Sequence, residues 1–275
     1  MNDVVLHLGD CAQVMAQHIA GNSIDLTVTS PPYDNLRTYN GYTFDFEAIA
    51  AQLWRVTKPG GVVVWVVGDE TDNGNESDTS FRQALQFRAL GFNKWDTMFW
   101  EKLSRIPTEG RYYNVIEYMF VFSKGKPNSL NFLCDHKNTT AGARKQKDSV
   151  INKGVNKKKD AWLVTPEYSR RSNLWSYPTG QHDEYSNGHP AIFPEALARD
   201  HILSWSNPGD VVLDPMMGSG TTGKMALLTG RRFVGIDISA EYVELARQRI
   251  AEVEAQPFLF HPAETQAQPE QLTLE

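Results

Sequence analysis

Two short stretches of this 275-residue chain carry residue types whose order can do chemistry. The first is Thr29-Ser30-Pro31-Pro32-Tyr33, at the end of the run Ile24-Asp25-Leu26-Thr27-Val28. That run reads as a buried strand. Pro31 and Pro32 stop it and bring no N–H groups, so the carbonyls of Ser30 and Pro31 are expected to face a cleft without a ladder partner. Polar oxygens beside the ring of Tyr33 suit a flat ligand whose amino group must donate hydrogen bonds. The plainer alternative is a strand closed by a Pro-Pro turn.

The second stretch is Asp214-Pro215-Met216-Met217-Gly218-Ser219-Gly220-Thr221-Thr222, between a strand-like and a helix-like segment. Glycines there let a ligand approach the backbone, and a helix N-terminus favours polar or anionic groups. A phosphate loop requires G-x-x-x-x-G-K-[ST]. Gly218 to Lys224 satisfies it up to the lysine, but Met225 replaces the hydroxyl that would hold Mg²⁺. The dinucleotide spacing G-x-G-x-x-G is met by Gly218, Gly220 and Gly223, and Asp237 ends the next strand where an acid accepts from ribose hydroxyls. NAD and S-adenosylmethionine both offer that ribose. Asp214 separates them: a carboxylate there repels a pyrophosphate but can receive the ammonium of an amino-acid moiety.

Hydrophobic periodicity supplies the elements that must hold these stretches. Val4 to Leu8 is a short strand ending in Gly9-Asp10-Cys11, and Ala12 to Ile19 has helical spacing. Phe46, Ile49, Leu53 and Val56 share one helical face, and Val62 to Val67 is a continuous apolar run suited to a strand covered on both faces. A helix over 81–90 and strands over 95–100 and 118–122 follow, the last two suited to an antiparallel edge. After the irregular stretch 125–188, regularity returns with a helix over 194–205, a strand over 211–213, a helix over 221–228, a strand over 233–236 and a helix over 242–253. Strand alternating with helix implies a parallel α/β sheet.

Composition narrows the class. Hydrophobic residues make up 41% of the chain, which fits a globular protein. No apolar run approaches the ~20 residues that span a bilayer, and Met1 to Val4 does not read as a signal peptide. Two cysteines, Cys11 and Cys134, fit a reducing interior and are too few for a four-cysteine zinc site. The expectation is a cytoplasmic protein without membrane or metal. The net charge of −6 hides an uneven distribution. Residues 137–171 carry ten Lys or Arg against Asp148, Asp160 and Glu167, whereas no Lys or Arg follows Arg249.

Together the two motifs resemble the amino-group DNA methyltransferases, which methylate cytosine N4 or adenine N6. That family combines a [D/N/S]-P-P-[Y/F] catalytic motif with a D-P-F-x-G-S-G-T-T cofactor motif in one Rossmann-like domain. Here the catalytic motif comes first, the order of the β-class. The resemblance covers residues 4–124 and 189–253. It implies an α/β, Rossmann-like S-adenosylmethionine-dependent methyltransferase fold, circularly permuted, with an inserted target-recognition region. In the family's numbering the sheet order is 3-2-1-4-5-7-6, and this chain would begin at strand 3 and end after strand 2, with its ends close together. The implied domains are a catalytic half (1–124), a target-recognition insertion (125–188), a cofactor-binding half (189–255) and a flexible tail (256–275). Met216 departs from the family's usual Phe.

Carried over by position, the resemblance makes Ser30, Pro31, Pro32 and Tyr33 catalytic. Asp214, Pro215, Gly218, Ser219, Gly220 and Thr221 would line the cofactor, with Asp214, Gly218, Gly220 and Thr221 at its methionine end. Asp237 would hold the ribose, Ile238 would pack beside the adenine, Asp10 would border the adenine edge, and Cys11 would also belong to the cofactor site. Pro194 opens a helix resembling one that also lines the pocket. Ser30 and the Pro31 carbonyl would accept from the target amino group while Tyr33 stacks on a flipped base. In the family S-P-P-Y goes with cytosine N4, and adenine N6 is the alternative; an inactive DNA-binding protein of this fold is the remoter one. A cytosine C5 enzyme needs a cysteine following a proline, and neither Cys11 nor Cys134 does so. Double-stranded DNA is the implied partner, with Arg37, Lys157, Lys158, Lys159, Arg170 and Arg171 as its expected contacts. A homodimer and a cognate restriction endonuclease are further partners the resemblance raises.

Overall fold

A computed structural model describes residues 3–32, 44–103, 110–146, 151–152, 155–156, 162–179 and 194–255. Its centre is an eight-stranded sheet. In chain order the strands are β1 (Val4–Leu8), β2 (Ile24–Thr29), β3 (Thr57–Val67), β4 (Asn93–Lys102), β5 (Ile116–Ser123), β6 (Leu174–Tyr177), β7 (Val211–Asp214) and β8 (Arg232–Asp237). Across the sheet they run β1-β8-β7-β2-β3-β5-β4-β6. The first five in that order are parallel, while β5 is antiparallel to both β3 and β4. The order from β1 to β4 is the 3-2-1-4-5-7-6 order implied by the resemblance. The Phe233 N–H donates to the Asp3 carbonyl at 2.7 Å, so the start of the chain lies against β8.

Six helices cover the sheet: α1 (Cys11–His18), α2 (Phe46–Val56), α3 (Thr79–Ala89), α4 (Glu195–Trp205), α5 (Thr221–Leu228) and α6 (Ala240–Ala255). α1, α2 and α3 pack side by side as one layer, and α4, α5 and α6 as another. β3 shows why the sheet is central. Val62 to Val67 are all buried, as a parallel strand covered on both faces must be. Its start differs from expectation: Lys58-Pro59-Gly60-Gly61 belongs to the strand, with a register irregularity between Ile24 and Leu26 of β2. Gly60, at φ +79°, accommodates that bend, and Asn128 packs where a side chain would stand. The Lys124 ammonium donates to the Trp54 and Thr57 carbonyls at 2.8 and 3.0 Å, satisfying the end of α2.

The chain divides into two compact units, 1–131 with 175–275, and 132–174. The segment 125–188 is expected to lie outside the sheet, and β6 departs from that. Trp175 is buried against the His201 ring, with centroids 4.6 Å apart, and the Trp100 indole N–H donates to the Tyr177 carbonyl at 3.0 Å. Two aromatic anchors thus fix a short strand on the sheet edge. The second unit is built from hairpins pairing 136–137 with 168–169, 144–146 with 162–164, and 151–152 with 155–156. The tail 256–275 lies outside the described residues. Among the described residues no helix is long and apolar enough to cross a membrane.

Candidate active site

The sheet reverses its winding between β2 and β7. β2 leads into α2 on one layer, while β7 leads into α5 on the other. Open α/β sheets bind ligands in the crevice beyond the strand ends at such a point. Here one strand end carries Ser30 and the other carries Asp214. They are joined directly: the Thr29 hydroxyl donates to Asp214 Oδ1 at 2.8 Å, across 185 residues of sequence. Ser30 and Pro32 are half-buried and Pro31 is buried. Tyr33 and Arg37 lie outside the described residues.

Asp214 is 5% exposed, and burial pushes its carboxyl up to about 6. Hydrogen bonds from Thr29, Thr222 and the Met216 N–H oppose that rise, while the charge of Asp237 adds to it. The group is sunk beneath the crevice and already accepts from three donors, so it braces the loop against β2. No local pattern announces this; Thr29 and Thr222 flank Asp214 only once the sheet has formed.

On the other side of the loop, Asp237 Oδ2 accepts from the Gly218 N–H and Oδ1 from the Ser239 N–H, both at 2.9 Å. These two bonds fix the orientation of the carboxylate at the end of β8. The Gly9 N–H donates to the Asp237 carbonyl at 2.9 Å, which brings Asp10 and Cys11 beside Asp237. Asp10 Oδ1 caps α1 through the Gln13 N–H. The Cys11 thiol is pushed up to about 12, by burial first and then by the Asp10 charge, and is no nucleophile at neutral pH. Leu8, 56% exposed at the end of β1, and half-buried Ile238 and Met216 supply apolar surface near these acids.

Gly218 and Gly220 hold left-handed backbone at φ +50° and +81°. Gly220 is the N-cap of α5 and brings no side-chain cap, so the first N–H groups of that helix face the crevice mouth. An adenosine with a ribose diol and an amino-acid tail fits this set: acids for the diol, an apolar rim for the ring, a helix N-terminus for a carboxylate. Pro215 is buried behind the loop, and Pro194 is the N-cap of α4. The residues 189–193 that precede it lie outside the described residues.

Sequence reasoning missed the support beneath the loop. Arg249, 2% exposed, donates from Nη1 to Ser219 Oγ and Thr221 Oγ1 at 3.1 Å each, and from Nη2 to Glu195 Oε1 at 2.6 Å. Lys224 also donates to Glu195 Oε1 at 2.6 Å. The available signal was a charge on the apolar stripe of α6, beside Val243, Ala246 and Ile250.

Of the expected DNA contacts, Lys157, Lys158 and Lys159 lie outside the described residues. Arg171 turns its guanidinium onto Asp135, with Nε 3.1 and 3.0 Å from the two carboxylate oxygens, and holds that carboxyl below its usual range. This ion pair braces the second unit internally. Arg170 is exposed and lies over the Phe132 ring at 4.2 Å.

Comparison with known proteins agrees with this geometry. A family model described as DNA methylase, of the N6/N4 kind, matches residues 24–248. The orphan methyltransferase M.BamHII of Bacillus amyloliquefaciens is 52% identical over 243 residues, covering 86% of this chain and 92% of that protein. Among solved structures, the cytosine-N4-specific PvuII DNA methyltransferase superposes with a TM-score of 0.66 at 20% identity, covering 92% of each chain. A DNA modification methylase of Thermus thermophilus, TTHA0409, solved with S-adenosyl-L-methionine, superposes at 0.59 with 26% identity over 92% of this chain and 96% of that one. The family match spans both motifs, and the chain belongs to that family: it is an S-adenosylmethionine-dependent DNA methyltransferase of the amino type, acting on cytosine N4 or adenine N6.

Proposed function

We propose that the chain methylates the exocyclic N4 of a cytosine flipped out of duplex DNA. The observation that carries this reading is the junction of Thr29 with Asp214. It fixes the Ser30-Pro31-Pro32 turn beside the loop of the cofactor motif. Bound S-adenosylmethionine supplies an electrophilic methyl group. The rest falls to the chain. The Ser30 hydroxyl oxygen and the Pro31 carbonyl accept hydrogen bonds from the two amino N–H groups and favour a pyramidal nitrogen whose lone pair is freed from the ring. Tyr33 stacks on the base. Proximity and fixed dipoles are the main catalytic terms, and no covalent bond to the chain is required.

Ser30 supports cytosine because a neutral hydroxyl stands where the adenine-specific motif has an aspartate. Either group accepts from an amino donor, so the choice rests on the resemblance. The insertion 125–188, which contains the unit 132–174, is read as the target-recognition region, with Arg170 and the lysines 157–159 meeting phosphates. The homodimer and partner endonuclease belong to this reading through the resemblance alone; sedimentation of the purified protein tests the first. The chemical test is nucleoside mass spectrometry of unmethylated DNA incubated with protein and S-adenosylmethionine, alongside Ser30→Ala. N4-methylcytosine that falls at least about tenfold in the variant, as loss of a transition-state acceptor implies, is the expected result. N6-methyladenine would transfer the same mechanism to adenine. Neither product would point to an inactive DNA-binding protein.

A further inference from the structure

We propose that Arg249 is a positioning residue for the methyl donor, clamping the loop Gly218–Thr221 so that the N-terminus of α5 presents its N–H groups to the donor's carboxylate. The inference rests on the reading that this loop holds the methionine end. Arg249 reaches the loop at three acceptors, Ser219 Oγ and Thr221 Oγ1 at 3.1 Å and the Ser219 carbonyl at 3.4 Å. Its other arm is held by Glu195 at 2.6 Å. One guanidinium therefore spans α6, the loop and α4.

A buried charge is a poor device for stability alone, because desolvation offsets much of the pairing energy. It does suit positioning. Its planar fork sends Nη1 to the loop and Nη2 to Glu195, a two-ended reach that the point charge of a lysine lacks. By accepting from Arg249, both hydroxyls turn their own protons away from it. Arg249 and Lys224 both donate to the carboxylate of Glu195, which ties α6 and α5 to α4. The clamp lies beneath a helix N-terminus that has no side-chain cap and whose dipole favours an anion. Loop geometry and field thus act on the carboxylate end of the donor and not on its adenosine.

The test compares S-adenosylmethionine with 5′-methylthioadenosine, which keeps the adenosine and lacks the amino-acid tail, by calorimetric titration of wild type, Arg249→Lys and Arg249→Met. Both variants are expected to weaken S-adenosylmethionine by about ten- to a hundredfold, the loss of charge-assisted hydrogen bonds, and to bind methylthioadenosine within about twofold of wild type, a change too small to signal a lost contact. If Arg249 variants fail to fold, Thr221→Val and Ser219→Ala remove the clamp from its other side and should show the same selective loss. Equal loss of both ligands would make Arg249 structural only, and loss of neither would leave it without a role; either outcome overturns the proposal. Wild type binding methylthioadenosine as tightly as S-adenosylmethionine would overturn the parent reading of the loop, before any variant is compared.

Discussion

Asp214 carries the clearest pH signature in the molecule. Its carboxyl keeps a proton up to about 6 in the folded chain, against 3.8 for the ordinary group. Between those values the folded state holds a proton that the unfolded state has released. Stability therefore falls as pH rises through this window and stays lower above it, by about 3 kcal/mol for a shift of this size. Asn keeps the shape and can accept from Thr29 and Met216 without the charge. Asp214→Asn is expected to melt above wild type at pH 8, and that advantage should shrink toward pH 4; a difference constant with pH would remove the buried charge as its cause. At this scale the sequence was legible in identity and less so in orientation. Asp214 and Asp237 stand out as acids at strand ends, but which way a carboxylate turns depends on Thr29 and Thr222, brought in by the sheet. Arg171 repeats the lesson: its partner Asp135 lies 36 residues away.

Helices and parallel strands were legible because their signals are local: apolar spacing, buried runs, glycine stops. β6 was not, because its anchors Trp100 and His201 belong to other elements and its neighbours are polar. Packing between elements is equally hidden. Gly223 on α5 sits where a Cβ would stand 2.5 and 2.7 Å from Phe233 ring carbons and 2.8 Å from Ile250 Cδ1. Its absence lets α5 lie directly on β8. Gly223→Ala gains about 1 kcal/mol of helix propensity, but overpacking against a rigid ring costs about 1–3 kcal/mol. The expected net effect is a loss of up to about 2 kcal/mol, seen as a melting temperature lower by a few degrees. Binding of S-adenosylmethionine, measured alongside, should weaken as α5 is pushed off β8. An unchanged melting temperature would mean that Phe233 yields without cost.

At the scale of the molecule, charge is divided unevenly. A chain of net charge −6 places ten basic and three acidic residues in 137–171, a stretch that lies within the second compact unit. An acidic enzyme acting on a polyanion needs such a patch, because phosphate contacts release counterions and supply most of the sequence-independent affinity. The structure separates the cations of that patch by what they touch. Arg171 is consumed by Asp135, so Arg171→Ala should loosen the second unit and leave the salt slope of DNA binding nearly unchanged. Arg170 is exposed, its guanidinium lying over the Phe132 ring, and Arg170→Ala should flatten the slope by about 0.9, the value for one phosphate contact on duplex DNA. Lys157, Lys158 and Lys159 replaced together by alanine should flatten it by up to about three times as much. Filter binding or fluorescence anisotropy across a salt series, on DNA of mixed sequence, measures all three. Equal slopes for wild type and the triple variant would move the phosphate contacts off this unit. A larger effect from Arg171 than from Arg170 would show that the Asp135 pair opens when DNA binds.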